Sequence, residues 1–150
     1  MNKDILVESL SPKIKLVRAE QGYTQERMAN ILGISKKTLV QIEKGRNLAS
    51  WTTIVALCSL FRHSDVIQNE LGEDVLEVVE TVALETVERP IKKTLGGKVW
   101  WTDMLQNNGY ILQQNLISKH FRIIDHNNYR YYSTFNKQEA MEKLHELTER

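Results

Sequence analysis

The sequence predicts a mainly α-helical chain: five short N-terminal helices, a helical connector and a small α+β unit. In the N-terminal half, residues that cap helices alternate with glycines, which is typical of short helices joined by tight turns. Pro90 and the pair Gly96-Gly97 then interrupt the helical pattern. After Gly109 the apolar residues recur at the period of strands. We therefore expect an N-terminal domain at 1–72, an acidic connector at 73–96 and a C-terminal domain at 97–150.

Composition is typical of a folded protein from a reducing compartment. Hydrophobic residues make up 41% and charged residues 26% of the 150 residues, a balance that excludes a disordered chain. The uncharged stretch Asn47–Phe61 is too short to cross a bilayer. A single cysteine, Cys58, excludes an internal disulfide framework, and no basic-then-apolar leader opens the sequence. We expect a cytoplasmic protein without a membrane segment.

Charge is distributed unevenly, although the net charge is +1. Residues 1–63 hold ten Lys and Arg against five Asp and Glu, whereas residues 64–90 hold one against eight. Residues 91–150 are again basic, with nine against six. The basic N-terminal part suits a polyanionic partner, and the acidic segment beside it does not.

The five N-terminal helices are predicted from their start and stop signals. Ser11-Pro12 combines a capping hydroxyl with a proline at the first helical position. The other four helices begin at Ser or Thr, and glycines follow most of them. These signals predict helices at 11–22, 24–33, 35–45, 50–61 and 64–72. Apolar residues at helical spacing form the predicted core: Ile14, Val17, Met28, Ala29, Leu32, Leu39, Ile42, Ile54, Leu57, Cys58, Phe61, Val66, Ile67 and Leu71.

The second and third predicted helices are joined by the turn Gly33-Ile34-Ser35 and must cross closely, which the small Ala29 allows. The second helix of such a pair can lie in the major groove, with its N-terminal residues at the base edges. Lysine can donate to guanine and glutamine can pair with adenine, although Gln41 could equally contact a phosphate. The candidate DNA-binding residues are Gln25 at a helix N-terminus, Ser35, Lys36, Lys37, Thr38 and Gln41 on the second helix, and Lys44, Arg46 and Asn47 beyond it.

Residues 25–46, with the sequence QERMANILGISKKTLVQIEKGR, resemble the Cro and phage-repressor type of helix-turn-helix, the XRE family. The likeness extends from about residue 14 to residue 71. It implies a five-helix repressor-like domain that binds double-stranded operator DNA as a homodimer. It also implies a structural ion pair between Arg18 and Glu43. The sequence departs from the family pattern at Leu48-Ala49-Ser50-Trp51, where relatives often carry a proline. This departure affects the expected shape of the loop more than the expected function.

The connector is predicted to be helical from Glu73 to Glu88. Its valines recur at helical spacing among acids, and they form either a dimer seam or the packing surface between the two domains. The acids would repel DNA, so we expect this segment to face away from the duplex. The valines are Val75, Val78, Val79, Val82 and Val87, and the acids are Glu77, Glu80, Glu85 and Glu88.

The C-terminal domain is predicted to be a small α+β unit with an antiparallel hairpin or three-stranded sheet. The turn signal His126-Asn127-Asn128 separates two β-rich runs. Asn136 and Glu139 resemble a capping box. The predicted elements are a short helix at 100–106 ended by Gly109, a strand at 110–116, hairpin strands at 121–125 and 129–135, and a last helix through Met141, Leu144 and Leu147.

Aromatic residues are frequent in the C-terminal domain, and we expect most of them to form its core because a unit of about sixty residues has little else to bury. They could also line a ligand pocket or a partner surface. Lys119, Arg122 and Arg130 either touch phosphate, as a wing, or belong to a dimerisation or partner-binding surface. Whether this domain binds a protein or a small-molecule effector is left open by the sequence. The aromatics are Trp100, Trp101, Tyr110, Phe121, Tyr129, Tyr131, Tyr132 and Phe135.

The sequence favours a DNA-binding transcriptional regulator, a repressor that reads a two-fold operator through the helix at 35–44. The alternative is an antitoxin or controller-type protein whose C-terminal domain sequesters a protein partner. An enzyme is not expected, because the neighbours Ser118 and Lys119 would point to opposite faces of a strand and no phosphate loop or nucleophile–base set is present. The four histidines lack metal-ligand spacing, so neither a metal nor another cofactor is expected.

Overall fold

The structure is a computed structural model that describes residues 1–85 and 100–149. The chain forms two compact units, Met1–Arg89 and Pro90–Arg150. Within the described ranges, no helix is long and apolar enough to cross a membrane.

The first unit consists of helices packed around one continuous apolar core. Leu6, Leu39 and Leu57 have no exposed surface, although they come from distant parts of the chain. Cys58 is equally buried, and this burial raises the pKa of its thiol to about 11. The elements are α1 (Lys3–Leu10), a 3₁₀ turn (Ser11–Lys13), α2 (Ile14–Gln21), α3 (Gln25–Leu32), α4 (Lys36–Glu43), α5 (Trp51–Leu60), α6 (Asp65–Leu71) and α7 (Val75–Leu84).

Helix α1 was not predicted, and the prediction that Ser11 caps a helix N-terminus is wrong. Asn2 caps α1 instead, and Leu6 and Leu10 anchor it in the core. The backbone stays helical through Ser11, whose hydroxyl donates to the carbonyl of Val7 at 2.6 Å. This arrangement arises because Pro12 enters a 3₁₀ turn that follows directly on α1, rather than opening a new helix.

The predicted caps of the next helices are confirmed. Gly22 and Gly33 adopt φ angles of 69° and 74° after α2 and α3, a conformation that side chains disfavour. At the N-termini, side-chain hydroxyls accept hydrogen bonds from backbone amides three residues later. These caps are Thr24 to Arg27, Ser35 to Thr38, Ser50 to Thr53 and Ser64 to Ile67.

Helix α7, which lies in the predicted connector, packs on the first unit. Asp74 caps it, and Val75 and Val79 are buried in the core of the first unit, with Val82 packed at its margin. These valines therefore have packing partners within one chain. Val87, which was predicted on the same stripe, lies outside the described residues.

In its described residues, the second unit is a four-stranded antiparallel sheet with one helix. The strands follow chain order across the sheet, so each is joined to the next by a hairpin. Helix α8 covers one face, and its Ala140, Leu144 and Leu147 pack with Leu112 and Ile123 of the central strands. The elements are β1 (Trp101–Asn107), β2 (Tyr110–Asn115), β3 (Phe121–Asp125), β4 (Arg130–Thr134) and α8 (Lys137–Thr148).

The helix predicted at 100–106 is wrong, because this segment is strand β1. A register shift between Asp103 and Leu105 breaks the alternation of side chains and hides the strand period. The turn into β2 is Asn108-Gly109, with φ angles of 48° and 82°. Two consecutive positive φ angles at Asn-Gly are typical of a two-residue hairpin turn. Gly109 therefore reverses the chain rather than ending a helix.

The last helix begins as predicted at Asn136, with a modified capping box. The Asn136 side chain accepts from the amides of Gln138 and Glu139. The backbone amide of Asn136 donates to Thr134 Oγ1 at 3.1 Å, and that hydroxyl donates to Glu139 Oε2 at 3.0 Å. In a standard capping box the Glu139 side chain would accept directly from the amide of Asn136; here the Thr134 hydroxyl lies between the two groups.

The prediction that most C-terminal aromatics form the core is wrong. Phe121 is buried, but Trp100, Tyr129, Tyr131 and Phe135 are between 51% and 77% exposed. Aliphatic side chains on β2, β3 and α8 fill most of the space between the sheet and the helix. Trp100, Tyr129 and Phe135 lie just beyond the ends of strands β1 and β4, and they remain accessible.

Candidate nucleic-acid interface

Helices α3 and α4 form a tight pair around Gly33. The chain leaves α3 at Gly33, passes Ile34 and starts α4 at the Ser35 cap. Ala29, which is 2% exposed, lies in the same core as Leu39 and lets the helices approach closely. This packing buries one face of α4 and leaves its N-terminal turn at the surface.

The first turn of α4 presents two lysines that have no carboxylate partner among the described residues. Lys36 and Lys37 are exposed, and neither makes an ion pair with any residue in the described ranges. Ser35 and Thr38 are exposed as well, but their hydroxyls bond to each other at 2.8 Å. Because Ser35 donates in this bond and Thr38 accepts, the side-chain donors left for a partner on this turn are the two ammonium groups and the Thr38 hydroxyl.

Gln41, one turn further along α4, is half-buried, and the chain after the helix folds back onto it. The amide of Arg46 donates to the carbonyl of Gln41 at 3.0 Å. Lys44, Arg46 and Asn47 are exposed in this returning segment, which Gly45 turns with a φ angle of 71°. The structure therefore places these three residues at the C-terminal end of α4, beside Gln41.

Arg18 and Glu43 form an ion pair that holds α2 to the C-terminal end of α4. Arg18 Nε and Nη2 both lie 2.8 Å from Glu43 Oε1. Arg18 Nη1 also donates to the carbonyl of Tyr23 at 3.0 Å. The carboxylate side of the pair is 4% exposed, so water screens this pair weakly and its geometry fixes the angle of α4.

Gln25 joins the same network, which its predicted phosphate role did not include. Its Nε2 donates to Glu43 Oε2 at 3.0 Å, so both carboxylate oxygens have a partner. As the first residue of α3, Gln25 still carries a backbone N–H at a helix N-terminus, where anions bind favourably. The side chain thus positions α4, and the backbone remains the candidate phosphate donor.

Arg27 is a further surface cation that sequence reasoning missed. It lies in the first turn of α3 with its guanidinium 5.0 Å from the ring centroid of Tyr23. It is exposed and forms no ion pair within the described part of the chain. The available signal was the spacing of four residues between an aromatic and an arginine across a helix start.

A tightly crossed helix pair, whose second helix presents unpaired cations and is anchored by a buried ion pair, defines a helix-turn-helix DNA-binding unit. The chain belongs to the helix-turn-helix transcriptional regulators, and its function is DNA-binding regulation of transcription.

Comparisons with known proteins place this family likeness in the first unit. Residues 10–71 match a family model described as Helix-turn-helix domain. The chain is also similar to the Uncharacterized HTH-type transcriptional regulator YgzD of Bacillus subtilis (strain 168). The two are 35% identical over 49 residues, which is 33% of this chain and 74% of that relative. No solved structure matches the chain.

Proposed function

We propose that the chain reads a specific operator with α4 lying in the major groove of DNA. The observation that carries this proposal is the exposed, unpaired pair Lys36 and Lys37 on a helix whose angle is fixed from behind by Arg18, Glu43 and Gln25. A rigid helix with free donors at its N-terminal turn is what direct readout of base edges requires.

The proposed roles follow the position of each side chain. Lys36 and Lys37 donate to base edges, with guanine O6 and N7 as their favoured acceptors, and Ser35 and Thr38 lie beside them. Gln41 pairs with an adenine or, from its half-buried place, with a nearby phosphate. The phosphate contacts are the Gln25 backbone, Arg27, Lys44, Arg46 and Asn47.

We propose further that two copies bind a two-fold operator and that the output is repression in the cytoplasm. One α4 helix spans only a few base pairs, so a second copy on the same duplex is needed to specify a site. A dimer that overlaps a promoter excludes other proteins by its volume alone, which is why repression is the proposed output.

Selection of bound fragments from random duplex DNA by the full-length protein tests the proposal. The wild type is expected to enrich a two-fold motif with half-sites about one helical turn apart. The Lys36→Ala/Lys37→Ala variant should lose this motif and keep its fold, because both side chains are exposed.

The matched control is Lys13→Ala/Lys143→Ala, which removes two positive charges that already have carboxylate partners, Glu70 and Glu146. This variant should enrich the wild-type motif. An unchanged motif with the Lys36→Ala/Lys37→Ala variant would show that other residues read the bases. If the wild type enriches no fragment, the protein does not recognise a DNA sequence on its own.

A further inference from the structure

Near strands β3 and β4 of the second unit, three cations have no carboxylate partner among the described residues. Lys119, Arg122 and Arg130 form no ion pair with any residue in the described ranges. By contrast, Lys143 on α8 lies 3.3 Å from Glu146, and His145 Nε2 lies 2.9 Å from Glu149. Among the described residues, Lys143 of α8 therefore has a carboxylate partner, whereas Lys137 at the start of α8 and the three cations near β3 and β4 have none.

The guanidinium of Arg122 is held in one orientation by an aromatic ring and a hydrogen bond. It lies 3.7 Å from the ring centroid of Trp101, and its Nε donates to Gln113 Oε1 at 2.8 Å. Gln113 is 5% exposed and its Nε2 donates to Asp103 Oδ1 at 2.7 Å. In the described part of the chain, no hydrogen bond uses the two terminal nitrogens of Arg122. They are the pair that binds an oxyanion bidentately.

Arg130 lies beside Arg122 on the neighbouring strand. It pairs in register with Ile124, two residues along β3 from Arg122, so both arginines are on the same face of the sheet. Burial is the main cause that lowers the pKa of Arg122, and the positive charge of Arg130 lowers it further, opposed by Asp103. Two neighbouring guanidinium groups repel each other, and a bound anion would remove this repulsion.

We propose that Arg122 and Arg130 together bind one phosphate of the DNA backbone, so that the second unit adds a contact to the duplex that α4 reads. This inference rests on the proposed function. Four of the six acids in the described part of the unit lie on α8 or at its end: Glu139, Glu142, Glu146 and Glu149.

The covalent link to a DNA-binding unit favours a backbone phosphate over other oxyanions. Once α4 is bound, the second unit is exposed to a high effective concentration of phosphates from the same duplex. A single bidentate contact that would be weak alone then contributes to the affinity, and it does so equally for every sequence.

The test is a salt series with the full-length protein and the duplex recovered by selection, measured by fluorescence anisotropy. The Arg130→Gln variant should reduce the slope of log affinity against log salt concentration by about 0.9, the value for one phosphate contact. The enriched motif should stay the same. Lys143→Gln, which removes a cation already paired with Glu146, should leave the slope unchanged.

A second variant guards against loss of the fold. Arg122→Lys keeps the charge but loses the planar group that stacks on Trp101, so its affinity should fall while its circular dichroism stays that of the wild type. If Arg130→Gln and Arg122→Lys both keep the wild-type slope and affinity, the phosphate contact does not exist.

The remaining outcomes separate this inference from the proposed function. A preferred motif with an unchanged slope in Arg130→Gln overturns the inference alone. If no motif is enriched, the salt series is measured on a duplex of random sequence. A slope that is still smaller in Arg130→Gln than in the wild type then overturns the proposed sequence reading and supports the contact. Inorganic phosphate could stabilise the wild type, but not Arg130→Gln, against thermal unfolding, while the two proteins show the same slope of log DNA affinity against log salt concentration. In that case the site binds a small anion and the inference is wrong.

Discussion

At the scale of single residues, Glu43 is the group on which the position of α4 depends. Its carboxylate is 4% exposed and accepts hydrogen bonds from Arg18 and Gln25, which belong to two different helices. A buried carboxylate without its cation is far less stable than the paired one, because the charge cannot return to water without unfolding. The ion pair therefore fixes the position of α4 relative to α2, which an exposed ion pair would not do.

We expect Arg18→Met to lower the free energy of unfolding by about 3 kcal/mol, because it leaves the Glu43 charge buried with an amide as its remaining partner. Urea unfolding followed by circular dichroism would measure this loss. Lys15→Met, an exposed site on the same helix, should change the free energy by less than about 0.5 kcal/mol. Equal effects of the two substitutions would mean that the ion pair does not stabilise the fold.

At the scale of elements, the turn Asn108-Gly109 decides that residues 101–107 become a strand. Its two positive φ angles match the twist of an antiparallel hairpin. Such a turn also fixes the register beside it, so that Asn107 faces Tyr110 and Leu105 faces Leu112. Beyond the register shift between Asp103 and Leu105, the pairing moves by one residue. The stability of β1 thus depends on a backbone conformation that glycine adopts readily.

We expect Gly109→Ala to destabilise the second unit by about 1–2 kcal/mol, the cost of a left-handed conformation for a residue with a Cβ. The cost is conformational, because the nearest atom to an added Cβ is His126 Nδ1 at 3.9 Å, an ordinary contact. Tryptophan fluorescence in a Trp51→Phe background would report on this unit through Trp100 and Trp101. Asn108→Gly, a residue suited to the same turn, is the control and should unfold at the wild-type urea concentration.

Sequence patterns predicted the elements whose signals are local, and they failed where tertiary contacts decide. The hydroxyl caps at Thr24, Ser35, Ser50 and Ser64 are set by neighbours three residues away and were predicted correctly. Strand β1 was not, because pairing with β2 outweighs its irregular pattern.

The same distinction applies to the candidate site. Glycines, caps and apolar spacing identified the helix pair that carries Lys36 and Lys37. The hydrogen bond from Gln25 to Glu43 joins residues 18 positions apart. Nothing in the spacing indicated that the Gln25 side chain supports α4, because its partner lies on another helix.

At the scale of the whole molecule, we expect the charge distribution of the first unit to orient it toward DNA. Four of the exposed cations of this unit lie on α4 or in the segment that follows it: Lys36, Lys37, Lys44 and Arg46. Helix α7 carries exposed Glu77 and Glu80 and packs on the same unit. A duplex approaching this unit is attracted to one element and repelled by the other, which restricts the orientations that lead to binding.

A dimer on a two-fold site makes a prediction about the geometry of the operator. Five base pairs inserted between the half-sites would rotate one of them to the opposite side of the duplex. The affinity should then fall to that of a single half-site, as measured by electrophoretic mobility shift. A fragment with five central base pairs replaced but none inserted is the control. Equal affinity for the three fragments would contradict binding as one two-fold dimer.

Helix α4 has a buried face that packs on the core and an exposed face that carries Lys36 and Lys37, and this division has a consequence for how such proteins diversify. Leu39, Ile42 and Glu43 hold the helix in place, whereas Lys36 and Lys37 contribute nothing to the core. If the exposed face reads DNA as proposed, substitutions there should change the preferred DNA at little cost to folding. One fold can then acquire many target sites, in evolution or in the laboratory, by exchanging a few exposed side chains while its buried residues stay the same.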